Sequence, residues 1–448
     1  MVTCTAALLG ASSGVVLQAQ MLAATPPMGW NSWDAYGTTV RENEVRANAD
    51  TMAAKLRKFG WEYVVVDIEW YAISPKTHGY IPRGAVAMDK YGRFVPAEGR
   101  FPSATSGAGF KPLADYIHSK GLKMGIHVMR GIPRDAVDKN LPIEGSKYRA
   151  ADIADKQNVA PWKGMEDTYG VDMSKPGAQD YYDSIARLYA SWGIDYIKAD
   201  DMSAPFHEPE IHALHVALEK VRRQTGHSIV LSLSPGPAPL AKHEALAANA
   251  QLWRISGDFW DNWAKLKHQF DLTRDWAQYS GPGHWPDADM LPLGRIGLRA
   301  EVGEARNTNF TPDEQKTMIT LWSICRSPLM FGGDLPSSDA QTFALITNSE
   351  AMDVNQHSVG GHEVYREGDT IAWVADTREG PKSRAKYVAV FNTGDSARTV
   401  DLSFAQAGVQ ASRASIRDLW ARKALGIAQR ISVPIPAHGS AMYLVAPQ

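Results

Sequence analysis

Between residues 25 and 355, short runs of β-branched, aliphatic and aromatic residues alternate with longer stretches whose apolar positions recur every three or four residues. The first pattern predicts strands and the second amphipathic helices. Strand-like runs occupy 28–33, 63–68, 122–128, 196–200, 229–234, 252–256, 284–290 and 329–334. Helical periods fall between them at 42–58, 111–119, 177–191, 208–223, 263–276 and 312–324. Val64-Val65-Val66 and Ile229-Val230-Leu231 are apolar without a break, as in strands covered on both faces. The last helix opens on Thr311-Pro312-Asp313-Glu314: a capping hydroxyl, Pro at the first helical position and Glu at the third. Eight such strands alternating with helices predict an α/β fold, a (β/α)8 TIM barrel.

Beyond residue 355 the helical period fades. Short strand-like runs at 370–375, 386–391, 399–402, 416–418, 429–433 and 439–445 are separated by Gly, Pro, Asp and Asn, which predicts an antiparallel β-sandwich. The expected organisation is a catalytic barrel over 25–355 and a C-terminal sandwich over 356–448. The first 24 residues carry no charged side chain and only short apolar patches, at 6–9 and 15–17. They are too short for a membrane span. They read as a signal peptide lacking its basic start, with export to the periplasm or the exterior as the expectation, or else as a disordered extension.

Composition narrows the function. The chain has 448 residues, 44% hydrophobic and 21% charged, an ordinary globular balance that excludes wholesale disorder and collagen-like repetition. Lys and Arg number 47 against 49 Asp and Glu, with no run of like charge, which speaks against a nucleic-acid partner. Cys4 and Cys325 are the only cysteines, too few for a disulfide framework or a cysteine zinc site. The 14 Trp outnumber the 12 Phe, a weak hint of rings on which sugars stack.

In a barrel of this type the chemistry sits where the strands end, and those ends are crowded with acids. The second run delivers Asp67 and Glu69, the fourth Lys198, Asp200 and Asp201, the sixth Arg254 and then Asp258 and Asp261, the seventh Asp287 and Asp289. Two carboxylates facing one pocket from different strands are what glycosidic cleavage needs, and Asp200 with Asp258 is the pair, expected about 5 Å apart in a retaining enzyme. Lys198 shares a strand face with Asp200 and would hold it ionised. Asp258 needs a proton near neutral pH, for which apolar neighbours such as Phe259 and Trp260 are suitable. Asp287-Ala288-Asp289 has a spacing found in divalent-metal sites, but no nearby His, Glu or Asn completes it, and a sugar-hydroxyl contact or a structural role is preferred. His127 reads equally as a ligand, a general base or a core histidine. No phosphate-cradling loop is present.

Thr25-Pro26-Pro27-Met28-Gly29-Trp30-Asn31-Ser32-Trp33 resembles the opening of glycoside hydrolase family 27, the α-galactosidases and α-N-acetylgalactosaminidases. Lys198-Ala199-Asp200, Trp253-Arg254 with Asp258, and Gly281-Pro282-Gly283-His284-Trp285 through Asp287-Ala288-Asp289-Met290-Leu291 resemble three further motifs in the same order. The likeness covers nearly the whole chain after residue 24. It implies that Asp200 is the nucleophile and Asp258 the acid/base, acting with retention, that Trp33, Asp67, Lys198, Arg254 and Asp289 line the subsite for the terminal sugar, and that no cofactor is needed.

Three departures from the family pattern bear on the substrate. Where the family has two consecutive acids after the second strand, Asp67 is followed by Ile68 and then Glu69. Glu69 shares a face with Asp67 and would grip from a different height, or else the sugar lacks the substituent concerned. His127 replaces a tyrosine usual on the third strand. Ser234-Pro235-Gly236-Pro237 matches neither known version of the fifth-strand loop, and Ser234 would leave room at the sugar's second carbon. The resemblance implies an exo-α-galactosidase first. The same mechanism on another glycone (α-N-acetylgalactosaminidase, β-L-arabinopyranosidase or isomalto-dextranase) is the alternative. A silent carbohydrate-binding barrel and a metal-dependent isomerase or lyase are the readings of another class.

Overall fold

The structure, a computed structural model, describes residues 21–159 and 165–448. The expected leader lies outside the described residues up to position 20. Eight parallel strands form one sheet: β1 (Met28–Asn31), β2 (Tyr63–Val66), β3 (Lys123–Met129), β4 (Tyr196–Asp200), β5 (Val230–Leu233), β6 (Leu252–Arg254), β7 (Trp285–Asp287) and β8 (Leu329–Phe331). Their order is β7-β6-β5-β4-β3-β2-β1-β8. The sheet curls until its edges meet, where Leu291, just past β7, bridges Phe331 of β8. All eight expected strands are present, flanked by helices that include Lys111–Ser119, Trp263–Trp276 and Pro312–Ile324 at the expected positions. Thr311 caps the last of these: its hydroxyl accepts from Glu314 N at 3.2 Å, and the Glu314 carboxylate returns a bond to Thr311 N at 2.8 Å.

Alternate residues of each strand face the barrel axis, and their character changes along it. Low in the barrel Tyr63 and Val65, Tyr196, Val230, Leu252 and Trp285 form one buried cluster. The next inward positions turn polar: Asp67, Lys198 and Asp200, Ser232 and Ser234, Arg254, Asp287 and Asp289. The strands thus bury an apolar floor and raise a polar rim at their C-terminal ends. Gly125 of β3 leaves room for that floor, since a Cβ there would lie 2.9 Å from Val65 Cγ2 and 3.1 Å from Tyr196 Cβ. Below it, Leu22 and Ala23 pack against the same cluster, and the Ala23 carbonyl accepts from Trp285 Nε1 at 2.7 Å.

Six of the strands are shorter than expected, and two of them show local causes. Asn31 Oδ1 accepts from Trp33 N at 2.8 Å and turns the chain into the helical turn Trp33–Tyr36. After Asp287 the backbone passes through Asp289 at φ +86°, a left-handed value incompatible with a continued strand. Between β3 and β4 lies an unanticipated three-stranded antiparallel sheet of Ile132–Pro133, Ala154–Val159 and Thr168–Val171.

The C-terminal region contributes β9 (Val359–Glu367), β10 (Thr370–Asp376), β11 (Lys386–Asn392), β12 (Arg398–Ser403), β13 (Ala414–Asp418), β14 (Lys423–Ala428), β15 (Arg430–Ile435) and β16 (Ser440–Pro447). Six of them form an antiparallel sheet in the order β9-β10-β11-β16-β13-β14, and β12 pairs with β15. Val374, Val390, Val400, Leu402 and Ile431 are buried between the two sheets. The other face of the large sheet lies on the barrel: Trp373, Phe391 and Met442 belong to the same buried cluster as Phe270 and Trp322, and the rings of Phe270 and Phe391 meet edge-on at 4.9 Å.

Candidate active site

A cavity of about 340 Å³ opens at the C-terminal ends of the strands. Asp67, Lys198, Asp200, Arg254, Asp258 and Asp289 all line it, as does Trp33. Six of these seven are at most 14% exposed in their side chains or whole residues, and Asp258 is the open one.

Asp67 sits just past β2 and is fully enclosed. Its Oδ2 accepts from Lys198 Nζ at 2.9 Å and from Asn31 Nδ2 at 2.6 Å, and its Oδ1 accepts from Ile68 N at 2.9 Å. Burial alone would raise its pKa, but the charges of Lys198 and His127 and the hydrogen bonds from Asn31 and Lys198 together outweigh it and hold the carboxyl below the usual range. Asp200 ends β4. Burial pushes it up as well, and the hydrogen bond from His127 with the charge of Lys198 brings it down to about 2. It is therefore ionised at neutral pH.

His127 Nε2 donates to Asp200 Oδ2 at 3.0 Å, while Nδ1 is buried with no partner among the described residues. Of the three readings of His127, the structure agrees with the core histidine: it is wholly buried, does not line the cavity and holds the neighbouring carboxylate. Losing this bond raises Asp200, because a hydrogen bond to the charged form favours that form. His127→Phe is therefore expected to move the acidic limb of the kcat/KM profile upward by about one to two pH units, the equivalent of a hydrogen bond to a charged group. An acidic limb that stays in place would mean that His127 only fills space.

Arg254, at the end of β6, reaches both Asp289 Oδ2 at 2.7 Å and Asp258 Oδ1 at 3.2 Å. Asp289 also accepts from Phe259 N at 2.8 Å, and its burial, opposed by Arg254 and reinforced by Asp258 and Asp287, raises it to about 6. Asp258 departs from expectation: its side chain is 58% exposed, whereas Phe259 and Trp260 are buried in the wall. Its surroundings are solvent and the Arg254 guanidinium rather than the expected apolar sleeve.

Two further expectations are corrected. Glu69 is buried but does not line the cavity; it lies towards Asp167 and Arg100, and burial with the Asp167 charge raises it to about 8. β2 ends at Val66, so the two-residue alternation that put Glu69 beside Asp67 no longer applies, and Ile68 is the residue that faces the cavity. Ser234 faces a small inner void bordered by Asn31, Arg254 and Asp287 instead, and Pro235 takes the place at the cavity wall.

Sequence reasoning missed Asp34, Tyr80 and Glu301, all of which line the cavity. The Tyr80 ring stacks on Trp33 at 6.2 Å and 25°, and the Asp258 charge adds to burial in raising Glu301. Tyr80 and Glu301 come from irregular loops without periodicity. Behind the site, buried Arg130 donates to Asp201 at 2.8 Å and to Glu210 at 2.6 Å, and its backbone N–H donates to the Asp200 carbonyl at 3.0 Å, tying the ends of β3 and β4.

A cavity with two unlike carboxylates at barrel strand ends agrees with what the chain is similar to. Residues 25–166 and 164–357 match the protein family described as alpha galactosidase A, and residues 367–445 match the alpha galactosidase C-terminal β-sandwich domain. The chain is 31% identical over 442 residues to an alpha-galactosidase of Coffea arabica, covering 96% of each protein. It is 48% identical to a family 27 β-L-arabinopyranosidase of Geobacillus stearothermophilus, whose crystal structure superposes with a TM-score of 0.91 over 95% of this chain and 97% of that one. α-Galactosidase I of Mortierella vinacea, 24% identical with a TM-score of 0.71 over 95% and 98% of the two chains, shares the fold. Matched in both its barrel and its sandwich, the chain belongs to glycoside hydrolase family 27 and is a retaining glycoside hydrolase.

Proposed function

We propose that Asp200 is the nucleophile and Asp258 the acid/base of an exo-acting enzyme that removes a terminal β-L-arabinopyranosyl unit. The observation that carries the roles is the contrast within one cavity: Asp200 is enclosed, bonded to His127 and ionised, while Asp258 is open to water and to a departing group. An Asp200 oxygen attacks the anomeric carbon as the glycosidic bond breaks, and Asp258 gives its proton to the leaving oxygen. Asp258 then takes a proton from water, which adds to the anomeric carbon and releases Asp200. Two inversions at one carbon give retention. Asp67, Lys198, Arg254 and Asp289 hold the sugar hydroxyls, and Trp33 offers an apolar wall.

The glycone is argued from Ile68. α-D-Galactopyranosides and β-L-arabinopyranosides have the same ring stereochemistry and differ by the hydroxymethyl group on C5. Ile68, 2% exposed, gives the cavity an apolar wall next to Asp67 where a hydrogen-bonding side chain would serve a further hydroxyl. A pentopyranose leaves nothing there to satisfy, and the Geobacillus relative bears a matching name. The α-D-galactoside is the second reading, favoured by the relatives called alpha-galactosidases. The test is kcat/KM on paired nitrophenyl glycosides. We expect the β-L-arabinopyranoside to be preferred by about 10–200-fold, the range one small substituent commands in a pocket. An equal or reversed ratio returns the α-galactoside to first place.

A further inference from the structure

Asp34 is the one buried acid of the cavity without a hydrogen-bond or ion-pair partner among the described residues. It is 1% exposed and lines the cavity, yet neither carboxyl oxygen has a hydrogen-bond partner among the described residues. Its place is built. Asp34 lies in the turn Trp33–Tyr36, its backbone carbonyl accepts from Gly297 N at 2.8 Å, and its carboxyl rests on the end of β8, where a Cβ at Gly332 would stand 1.9 Å from Oδ2. A side chain at 332 is therefore excluded by the carboxyl.

Buried polar groups are almost always bonded, and an exception in a cavity calls for a ligand or a function. The cavity's charges say which form Asp34 takes. Its lining carries six acids, Asp34, Asp67, Asp200, Asp258, Asp289 and Glu301, against Lys198 and Arg254. Both cations are engaged, Lys198 with Asp67 and Arg254 with Asp289 and Asp258. The charged groups facing Asp34 are Asp289, Lys198, Asp258 and Asp67, and burial with the three acids raises it well above the carboxylate range despite Lys198. That environment favours the neutral carboxyl, which has one O–H to give.

We propose that Asp34 is a glycone-binding residue that acts as a carboxylic acid, donating its O–H to a sugar oxygen in a cavity otherwise rich in acceptors. Each sugar hydroxyl brings two lone pairs and one hydrogen. Asp67, Asp200 and Asp289 compete for the hydrogens, while donors for the lone pairs are few. The proposal rests on the glycosidase reading above and adds a residue to it.

The experiment uses the full chain and whichever aryl glycoside it hydrolyses fastest. Asp34→Ala is expected to raise KM by about 30-fold with a smaller change in kcat, and to weaken competitive inhibition by free L-arabinose in parallel, a loss of about 2 kcal/mol of binding. Asp34→Asn, which keeps a donor and an acceptor in the same shape, should recover most of that loss, with KM raised only about threefold. Should the alanine variant not fold, Asp34→Leu fills the same space without a polar atom. Unaltered KM and inhibition in the apolar variant overturn the proposal, and so does an asparagine variant as impaired as alanine, which would mean that a charged carboxylate does the binding. Wild-type protein inert on both the arabinopyranoside and the galactoside refutes the glycone reading instead.

Discussion

Asp200→Ala is expected to lower kcat/KM by on the order of 10⁵-fold, the scale at which removing a nucleophile leaves only binding and electrostatics. His127 and Lys198 keep Asp200 ionised at a pH well above its value of about 2, and a charge held in that way beside two donors is suited to attack rather than to proton transfer. Its removal leaves the fold's main contacts in place, because the strand is anchored through backbone bonds and the Ala199 side chain is fully buried on the barrel's outer side. The alanine also vacates space. Azide added to the variant should therefore restore turnover and give the glycosyl azide of inverted configuration, since one displacement replaces two. Activity retained within tenfold, with unchanged thermal unfolding, would assign the attack to another carboxylate.

The second expectation separates two classes of substrate. With Asp258→Ala, glycosides of sugar or alkyl alcohols should slow by about 10³–10⁴-fold, whereas dinitrophenyl glycosides should lose far less in kcat/KM, because a good leaving group departs without a proton. The second step then limits turnover for lack of a general base, so the activated substrate should show a burst of phenolate. Rescue by azide should in this case proceed with retained configuration. Equal losses on both substrate classes would remove Asp258 from the acid role. Asp258 stands open to solvent, where a departing group can reach it, with Arg254 at 3.2 Å.

How much of this was legible follows from which residues bury what. Two barrel strands announce themselves as unbroken apolar runs and the others as short, mostly apolar runs between helical periods, so all eight were placed. β9 and β14 were not anticipated, and they are the two edges of the large antiparallel sheet. Lys423–Ala428 is exposed along almost its whole length, so no alternation marks it. The same logic runs through the site. Asp67, Lys198, Asp200, Arg254 and Asp289 were legible because each ends or follows a strand whose inward face continues from an apolar floor. Glu69 was misplaced because parity was carried past the end of β2. Asp258 was given the environment of its sequence neighbours, although its side chain stands out in solvent while Phe259 and Trp260 are buried. Asp34 stood next to a motif already quoted and was overlooked, because what distinguishes it is the absence of a partner, which only three-dimensional placement reveals.

The apolar contact between barrel and sandwich has a consequence for how the molecule comes apart. Trp373, Phe391 and Met442 share one uninterrupted interior with Phe270 and Trp322, so the two regions differ in architecture but not in cooperativity. Heat should melt them in a single calorimetric peak. A protease that cut the chain near residue 358 would release two fragments, each with a large oily face bared to water, and both would be expected to precipitate rather than to survive as separate modules.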